Sequence, residues 1–221
     1  MSYRAMKTTA ERQREITRSM ALVHMLRDRM GVTSVYGFAG RYDGMMQGTS
    51  NTQESKKWRP VFSGKQPLTA RTLASLSELF PDAPLLHQDG PANLWRAMWG
   101  DISALITCIR SHPKCSPQTP LHLAEKSIEA ELLCAGPANL ATLTYAVALY
   151  RLRREMEPDA RIDGYGLNLT GCAWRCVETC LKDDAVTREL ESLGVQEWIT
   201  DELENMEKQR IKAKPRARLF D

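Results

Sequence analysis

Four side chains that could bind a transition metal lie within a stretch of 15 residues. Cys108, His112, Cys115 and His122 have the spacing C-x3-H-x2-C-x6-H, and a set of thiolates and imidazoles suits tetrahedral zinc. This spacing matches no standard zinc knuckle, and Cys108 falls on the apolar side of a predicted helix, where burial in the core explains it. We therefore assign no metal site and expect no cofactor.

The cysteines Cys172, Cys176 and Cys180 recur every four residues and would form one stripe along a helix. Burial of small apolar thiols explains this stripe better than metal binding, because a fourth ligand would have to come from elsewhere. The N-terminal residues are polar and contain no apolar signal core. We therefore expect all six cysteines to be reduced thiols.

No catalytic motif is present in the sequence. The glycines at 37, 40, 44 and 48 fit neither a dinucleotide fingerprint nor a phosphate-binding loop, and Gly64-Lys65 is followed by Gln66 instead of Ser or Thr. The chain has no Gly-x-Ser-x-Gly elbow, and its four histidines are isolated from one another. The sequence therefore favours a protein that is not an enzyme.

Trp95 and Trp99 form an aromatic pair at helical spacing. Two tryptophans four residues apart on a short helix usually belong to a core. If they were exposed, they would mark a protein–protein site, since Trp is enriched at interface hot spots. They are the candidate interaction residues of a protein-interaction or adaptor module, which is the alternative function.

Charge is distributed unevenly along the chain, whose net charge is +3. Residues 1–72 contain 13 Lys/Arg and 5 Asp/Glu, a balance of +8, whereas residues 73–207 contain 11 and 21, a balance of −10. Residues 208–221 contain 6 and 1, a balance of +5. Basic ends suggest an anionic partner, most often nucleic acid, although a solvated basic face has the same composition.

The basic C-terminal tail, residues 208–221, could follow a phosphate backbone as an arm. A purely solubilising tail has the same pattern. The tail residues that we name as candidate DNA contacts are Lys212, Lys214, Arg216 and Arg218.

Apolar residues that recur at three- and four-residue steps predict that nearly all of the residues named above lie on or next to helices. Thr8 and Glu11 have the spacing of a capping box and begin the first helix, which Gly31 ends. A short extended piece is possible at 33–38. Further helices are predicted at about 42–47, 69–80, 91–99, 102–110, 121–134, 137–156, 167–183 and 195–211, with a shorter one before the last.

One stretch of the sequence resembles the helix-turn-helix domains of phage repressors. It consists of residues 61–69, Val-Phe-Ser-Gly-Lys-Gln-Pro-Leu-Thr, followed by Leu73, Leu76 and Leu79. In that family a recognition helix ends in an apolar residue, a Gly-Lys turn and a proline, and another helix follows. The resemblance covers roughly residues 50–80. Pro60 departs from it, because a proline removes a backbone donor inside the helix.

The resemblance implies a recognition helix over residues 51–62 that contacts double-stranded DNA. Amide, hydroxyl and basic side chains would bond to base edges and phosphates there. Trp58 and Phe62 can equally be core anchors of a surface helix whose lysines are only solvated. The implied DNA-binding residues are Asn51, Gln53, Ser55, Lys56, Lys57, Arg59 and Lys65.

Together these observations predict an all-α protein with an N-terminal helix-turn-helix-like bundle and a larger helical domain. The expected divisions are a DNA-binding domain at 1–84, an acidic association domain at 85–207 and the basic tail at 208–221. We expect a non-catalytic DNA-binding protein, a transcriptional regulator or an accessory protein of a mobile element. A homodimer or a protein partner would use the second domain, and the expected location is the cytoplasm, since no segment has the roughly 20 apolar residues of a membrane span.

Overall fold

The computed structural model describes residues 8–47, 50–113, 119–134, 136–156 and 172–213. Within these ranges every regular element is a helix and there is no strand, so the predicted all-α class is confirmed. The chain divides into two compact units. Unit 1 comprises Met1–Trp95 and Glu189–Val195, and unit 2 comprises Arg96–Arg188 and Gln196–Asp221.

Unit 1 is built on α1, Thr9–Arg29, whose ends follow from its sequence. The hydroxyl of Thr8 accepts a hydrogen bond from the Glu11 backbone N–H at 3.2 Å, and the Glu11 carboxylate accepts one from the Thr8 N–H at 2.7 Å. This capping box satisfies two amides that lack partners within the helix. Gly31 ends the helical segment at a φ of +67°, a conformation that favours glycine.

The other helices of unit 1 surround the apolar face of α1. They are α2 (Val35–Met45), α3 (Arg59–Phe62), α4 (Ala70–Leu79) and α5 (Ala83–Asp89), and a 3-10 turn follows at Pro91–Asn93. Their buried core includes Leu22, Leu26, Phe38, Tyr42, Trp58, Phe62 and Leu76.

α2 replaces both the extended piece expected at 33–38 and the short helix expected at 42–47. The Ser34 hydroxyl accepts a hydrogen bond from the Gly37 N–H at 3.0 Å and so caps the helix. Phe38 and Tyr42 are buried at helical spacing. Burial of this face stabilises the helix despite the glycines within it.

The prediction of a helix over residues 51–62 is wrong. Hydrogen-bonded turns occupy most of this stretch, and only α3, Arg59–Phe62, is helical. Lys56 has a φ of +54°, in the left-handed region, so a right-handed helix cannot pass through it. Pro60 fits in the first turn of α3, where a proline needs no amide partner.

The remaining helices are α6 (Leu94–Trp99), α7 (Ile102–Arg110), α8 (Leu121–Cys134), α9 (Leu140–Met156), α10 (Ala173–Lys182), α11 (Asp184–Ser192) and α12 (Gln196–Ala213). Helices α7 to α10 and α12 lie within unit 2, whereas α6 and α11 each have residues in both units. Asp101 caps α7 by accepting a hydrogen bond from the Ala104 N–H at 2.8 Å.

The core of unit 2 is centred on α9, which packs against α7, α8 and α10. Glu125 of α8 is almost fully buried and pairs with Arg153 of α9 through two hydrogen bonds, one of them 2.7 Å long. A buried carboxylate needs such a partner, since an unpaired charge in an apolar interior is costly. No helix among the described residues is both long enough and apolar enough to cross a membrane.

Candidate nucleic-acid interface

The basic segment, which we define as residues 50–66, is held on unit 1 by a carboxylate of α2. Asp43 accepts hydrogen bonds from the backbone N–H groups of Thr52 and Gln53, each at 2.9 Å, and from the Thr52 hydroxyl at 2.7 Å. Partial burial raises the pKa of Asp43, but these donors outweigh it and lower the pKa below its usual value. The carboxylate is therefore ionised and anchors the start of the segment.

Trp58 is the second anchor of the basic segment. Its indole N–H donates to the Thr52 hydroxyl at 2.8 Å, which in turn donates to Asp43. The indole is 1% exposed and lies edge-on to Phe38 and Tyr42, with ring centroids 5.1 and 5.0 Å away. This geometry is favourable for aromatic pairs, and it fixes the turns on either side of Trp58.

The basic side chains of this segment point away from the core. Lys56, Lys57, Arg59 and Lys65 are exposed, and within the described residues none of them forms an ion pair with a carboxylate. The ammonium of Lys57 lies 5.6 Å from the centroid of the Trp58 ring, within cation–π range. Four charges thus remain available to an external anion.

The amide and hydroxyl side chains that the sequence predicts to contact DNA together with these cations make local hydrogen bonds within the protein. Asn51 donates to Glu54 at 2.6 Å, Gln53 donates to the Tyr36 carbonyl at 3.3 Å, and Ser55 donates to the Thr52 carbonyl at 3.4 Å. These bonds hold the turns in place. The cations of the segment are therefore accessible to a partner, whereas its amide side chains stabilise the turns.

A small pocket of about 100 Å³ opens beside two of the cations. Lys56 and Arg59 line it together with Tyr36 of α2, whose side chain is 66% exposed, and Trp58 also contributes to its wall. Sequence reasoning missed Tyr36 and Asp43. A serine followed by an apolar face at helical spacing, Ser34 with Phe38 and Tyr42, is the pattern that could have placed both residues on one helix.

The tail residues are only partly within the described chain. Lys212 is exposed in the last turn of α12, whereas Lys214, Arg216 and Arg218 lie outside the described residues. Two other cations of this stretch already have acidic partners. Lys208 pairs with Glu204 at 3.0 Å, and Arg210 pairs with Glu207 at 2.6 Å.

The candidate interaction pair does not form an exposed aromatic patch. Trp95 is 1% exposed, and its ring lies against Gly90, where a Cβ would come within 2.5 Å of it. Trp99 is half-buried and donates its indole N–H to Glu202 at 2.8 Å. Burial of the Trp95 indole agrees with the core role that tryptophans at this spacing usually have, and it leaves Trp95 no exposed surface for a partner.

The candidate zinc ligands are not gathered around a common point in the described part of the chain. No group of three or more His, Cys, Asp or Glu side chains there is placed to hold a metal ion, and Cys115 lies outside the described residues. Cys108 is 7% exposed, and His112 stacks on Tyr145 with ring centroids 4.0 Å apart. Both residues therefore serve the packing of unit 2.

The predicted cysteine stripe is confirmed as part of the core of unit 2. Cys172, Cys176 and Cys180 are all buried, at 8% exposure or less. Burial raises the pKa of Cys176 and of Cys180 to about 12 in each case. Both thiols therefore stay protonated at neutral pH and behave as small apolar groups.

A serine–histidine contact in unit 1 resembles a nucleophile and its base but cannot act as one. Ser19 Oγ lies 3.2 Å from His87 Nε2. The serine is completely buried, its hydroxyl donates to the Glu15 carbonyl at 2.7 Å, and it accepts from the Leu68 N–H at 2.9 Å. No substrate reaches this oxygen, so the contact ties α1 to α5.

Comparison with known proteins finds no relative that would assign a role to these residues. The sequence matches no protein-family model, no curated protein and no solved structure. The function is therefore inferred from the chemistry of the surface itself.

Proposed function

We propose that this protein is a non-catalytic DNA-binding protein and that its basic segment contacts the phosphate backbone of double-stranded DNA. The observation that supports the proposal most is the set of four exposed cations at Lys56, Lys57, Arg59 and Lys65, without an acidic partner in the described residues. A phosphate backbone offers such cations a regular row of negative charges.

The cations of the basic segment differ from many cations in unit 2. There, Arg153 pairs with Glu125, Lys182 with Glu178 and Lys208 with Glu204. A paired cation must give up its carboxylate before it neutralises a phosphate, whereas an unpaired one gives up only water and salt ions. The basic segment is therefore the better polyanion surface.

The turn structure favours binding that depends little on DNA sequence. α3 has four residues and is too short to lie along a major groove, and Asn51 and Gln53 are already hydrogen bonded within unit 1. Contacts to phosphate position a protein on a duplex but carry no sequence information. Transcriptional control and accessory roles in a mobile element, the two roles expected from the sequence, both involve such contacts.

Removing three of the cations tests this proposal. We expect the triple variant Lys56→Ala, Lys57→Ala, Arg59→Ala to bind a mixed-sequence duplex more than about tenfold more weakly at 0.1 M salt. The slope of log affinity against log salt should fall by about three, because each of the three cations neutralises about one phosphate. Fluorescence anisotropy of a labelled duplex over a salt series measures both quantities.

The matched control removes three exposed lysines from unit 2. Lys126→Ala, Lys182→Ala, Lys208→Ala gives the same change in net charge, and all three side chains are exposed. Its affinity and salt slope should stay close to those of the unaltered protein. The proposal is refuted if the unaltered protein binds no duplex at low salt, or if the two triple variants lose affinity equally.

A further inference from the structure

The pocket beside the basic segment combines one exposed aromatic ring with two cations. Tyr36 is 66% exposed, which is a high value for an aromatic side chain. Lys56 and Arg59 line the same pocket and are exposed. A ligand seated there would meet an apolar face and positive charge at the same time.

The backbone at Tyr36 is fixed by hydrogen bonds. It lies in the first turn of α2, which Ser34 caps, and its carbonyl accepts the Gln53 side-chain amide at 3.3 Å. The backbone that carries the ring is therefore held from both sides. A ring on a fixed backbone costs less conformational entropy on binding than a ring on a loose loop.

Three sources of positive potential meet at the pocket. Lys56 and Arg59 carry full charges, and the start of α2 carries the partial positive charge of a helix N-terminus. Within the described residues no carboxylate lines the pocket. The charge of the site is therefore complementary to an anionic ligand.

The size of the pocket limits what the ligand can be. Its volume of about 100 Å³ is well below the roughly 300–1,000 Å³ of pockets that enclose whole cofactors or drug-sized ligands. A single planar ring fits these dimensions, whereas a dinucleotide or a base pair does not. The ligand therefore presents one ring to Tyr36 and an anionic group to the cations.

We propose that this pocket binds one unpaired nucleotide, with its base against Tyr36 and its phosphate against Lys56 and Arg59. The inference rests on the proposed function and deepens it, since it makes a duplex with an unpaired end a better ligand than a blunt duplex. Stacking on an aromatic ring tolerates any base, so the preference is for strand structure and not for sequence.

Four probes and three variants test this inference on the full chain. The probes are a blunt duplex, the same duplex with a three-nucleotide overhang at each end in turn, and free thymidine monophosphate as competitor. We expect the unaltered protein to bind an overhanging duplex about tenfold more tightly than the blunt one. Tyr36→Ala should abolish this preference, and Tyr36→Phe should retain it.

Leu85→Ala is the matched control, because Leu85 is an exposed apolar side chain of unit 1, 61% exposed, outside the pocket. It should bind all probes as the unaltered protein does. Competition by free thymidine monophosphate at micromolar concentration would assign the pocket to free nucleotides. Competition only at much higher concentration would assign it to strand ends.

The outcomes separate this inference from the proposed function. Equal affinity of the unaltered protein for blunt and overhanging duplexes, or a preference that survives Tyr36→Ala, overturns the inference and leaves duplex binding standing. Failure of every DNA probe to bind at low salt overturns the proposed function together with the inference.

Discussion

His24 is a residue of unit 1 whose protonation state depends on packing. It is half-buried on α1, its ring contacts Phe62 at a centroid distance of 4.9 Å, and its Nε2 lies 3.4 Å from the Phe62 carbonyl oxygen. Burial and the nearby charge of Arg27 lower the pKa of His24 from its ordinary value of 6.5. The folded protein therefore favours the neutral imidazole.

This shift makes unit 1 sensitive to acid. Below pH 6.5 the unfolded chain takes up a proton at His24 that the folded chain resists, so the contribution of His24 to stability falls as the pH decreases. Above pH 6.5 both states are neutral and the contribution is constant. We expect His24→Gln to reduce the loss of unfolding free energy between pH 7 and pH 5, as measured by urea unfolding.

His122→Gln is the control for this measurement, because His122 is exposed on α8 of unit 2. It should leave the pH profile of stability close to that of the unaltered protein. The unfolding free energy of the His24→Gln variant and that of the unaltered protein could instead decrease by the same amount between pH 7 and pH 5. In that case the folded state does not disfavour protonation of His24.

At the scale of elements, the basic segment depends on its turns. Asp43 and Trp58 determine where the turns lie, and Lys56 adopts a left-handed backbone conformation between them. For a residue other than glycine, this conformation costs roughly 1–2 kcal/mol. The segment tolerates the cost because anchors on both sides hold it in place.

Glycine substitutions at neighbouring positions test this turn structure. We expect Lys56→Gly to be close to neutral or stabilising, since glycine removes the strain at a φ of +54°. Lys57→Gly should destabilise by about 1 kcal/mol, because it adds only flexibility to the unfolded chain. Thermal or urea unfolding measures the difference between the two variants. A continuous helix would instead lose about 1 kcal/mol at each position, so equal losses would contradict the turn structure.

At the scale of the whole molecule, the buried polar pairs of unit 2 contrast with the exposed cations of the basic segment in unit 1. Unit 2 buries charged and polar groups in pairs, such as Tyr150, which donates its hydroxyl to Glu207 at 2.9 Å. Burial and the neighbouring Glu207 raise the pKa of Tyr150 well above its usual value, so the hydroxyl stays protonated as a donor. Unit 1 instead leaves the cations of its basic segment exposed to solvent.

This division predicts that stability and DNA binding can be changed separately. Tyr150→Phe removes the hydrogen bond to Glu207 and should lower the unfolding free energy by about 1–2 kcal/mol. The affinity for a duplex should not change, because the proposed contacts all lie in unit 1. Tyr36→Phe is the matched control, with a stability change within about 0.5 kcal/mol, since its side chain is exposed. A loss of duplex affinity in Tyr150→Phe would mean that unit 2 contributes to binding.

Local features of the fold were predictable because they depend on neighbours in the chain. The capping box at Thr8, the cap at Asp101 and the buried stripe at Cys176 each follow from spacing within a few residues. Gly90 and Gly136 also have positive φ, at +79° and +91°, a conformation that favours glycine. Such features are determined by short-range sterics and hydrogen bonds.

The candidate site was predictable only in its composition. The sequence identifies Lys56, Lys57 and Arg59 as a basic cluster. Because these side chains are charged and their neighbours in the sequence are polar, we expect them to be exposed to solvent. By contrast, the hydrogen bonds of Asp43 to residues 52 and 53 and the proximity of Tyr36 to Lys56 join separate segments. Spacing along the chain carries no information about such contacts.

The sequence by itself determined the all-α class, the caps, most helix positions and the uneven distribution of charge. The class, the caps and the helix positions depend on residues within about one helical turn of each other, and the distribution of charge follows directly from composition. Only the tertiary structure decided that residues 52–58 form turns, since the strained backbone at Lys56 is stable only where Asp43 and Trp58 anchor the chain. It also decided that Trp95 is buried and Tyr36 exposed, because burial depends on which distant segments pack over a side chain.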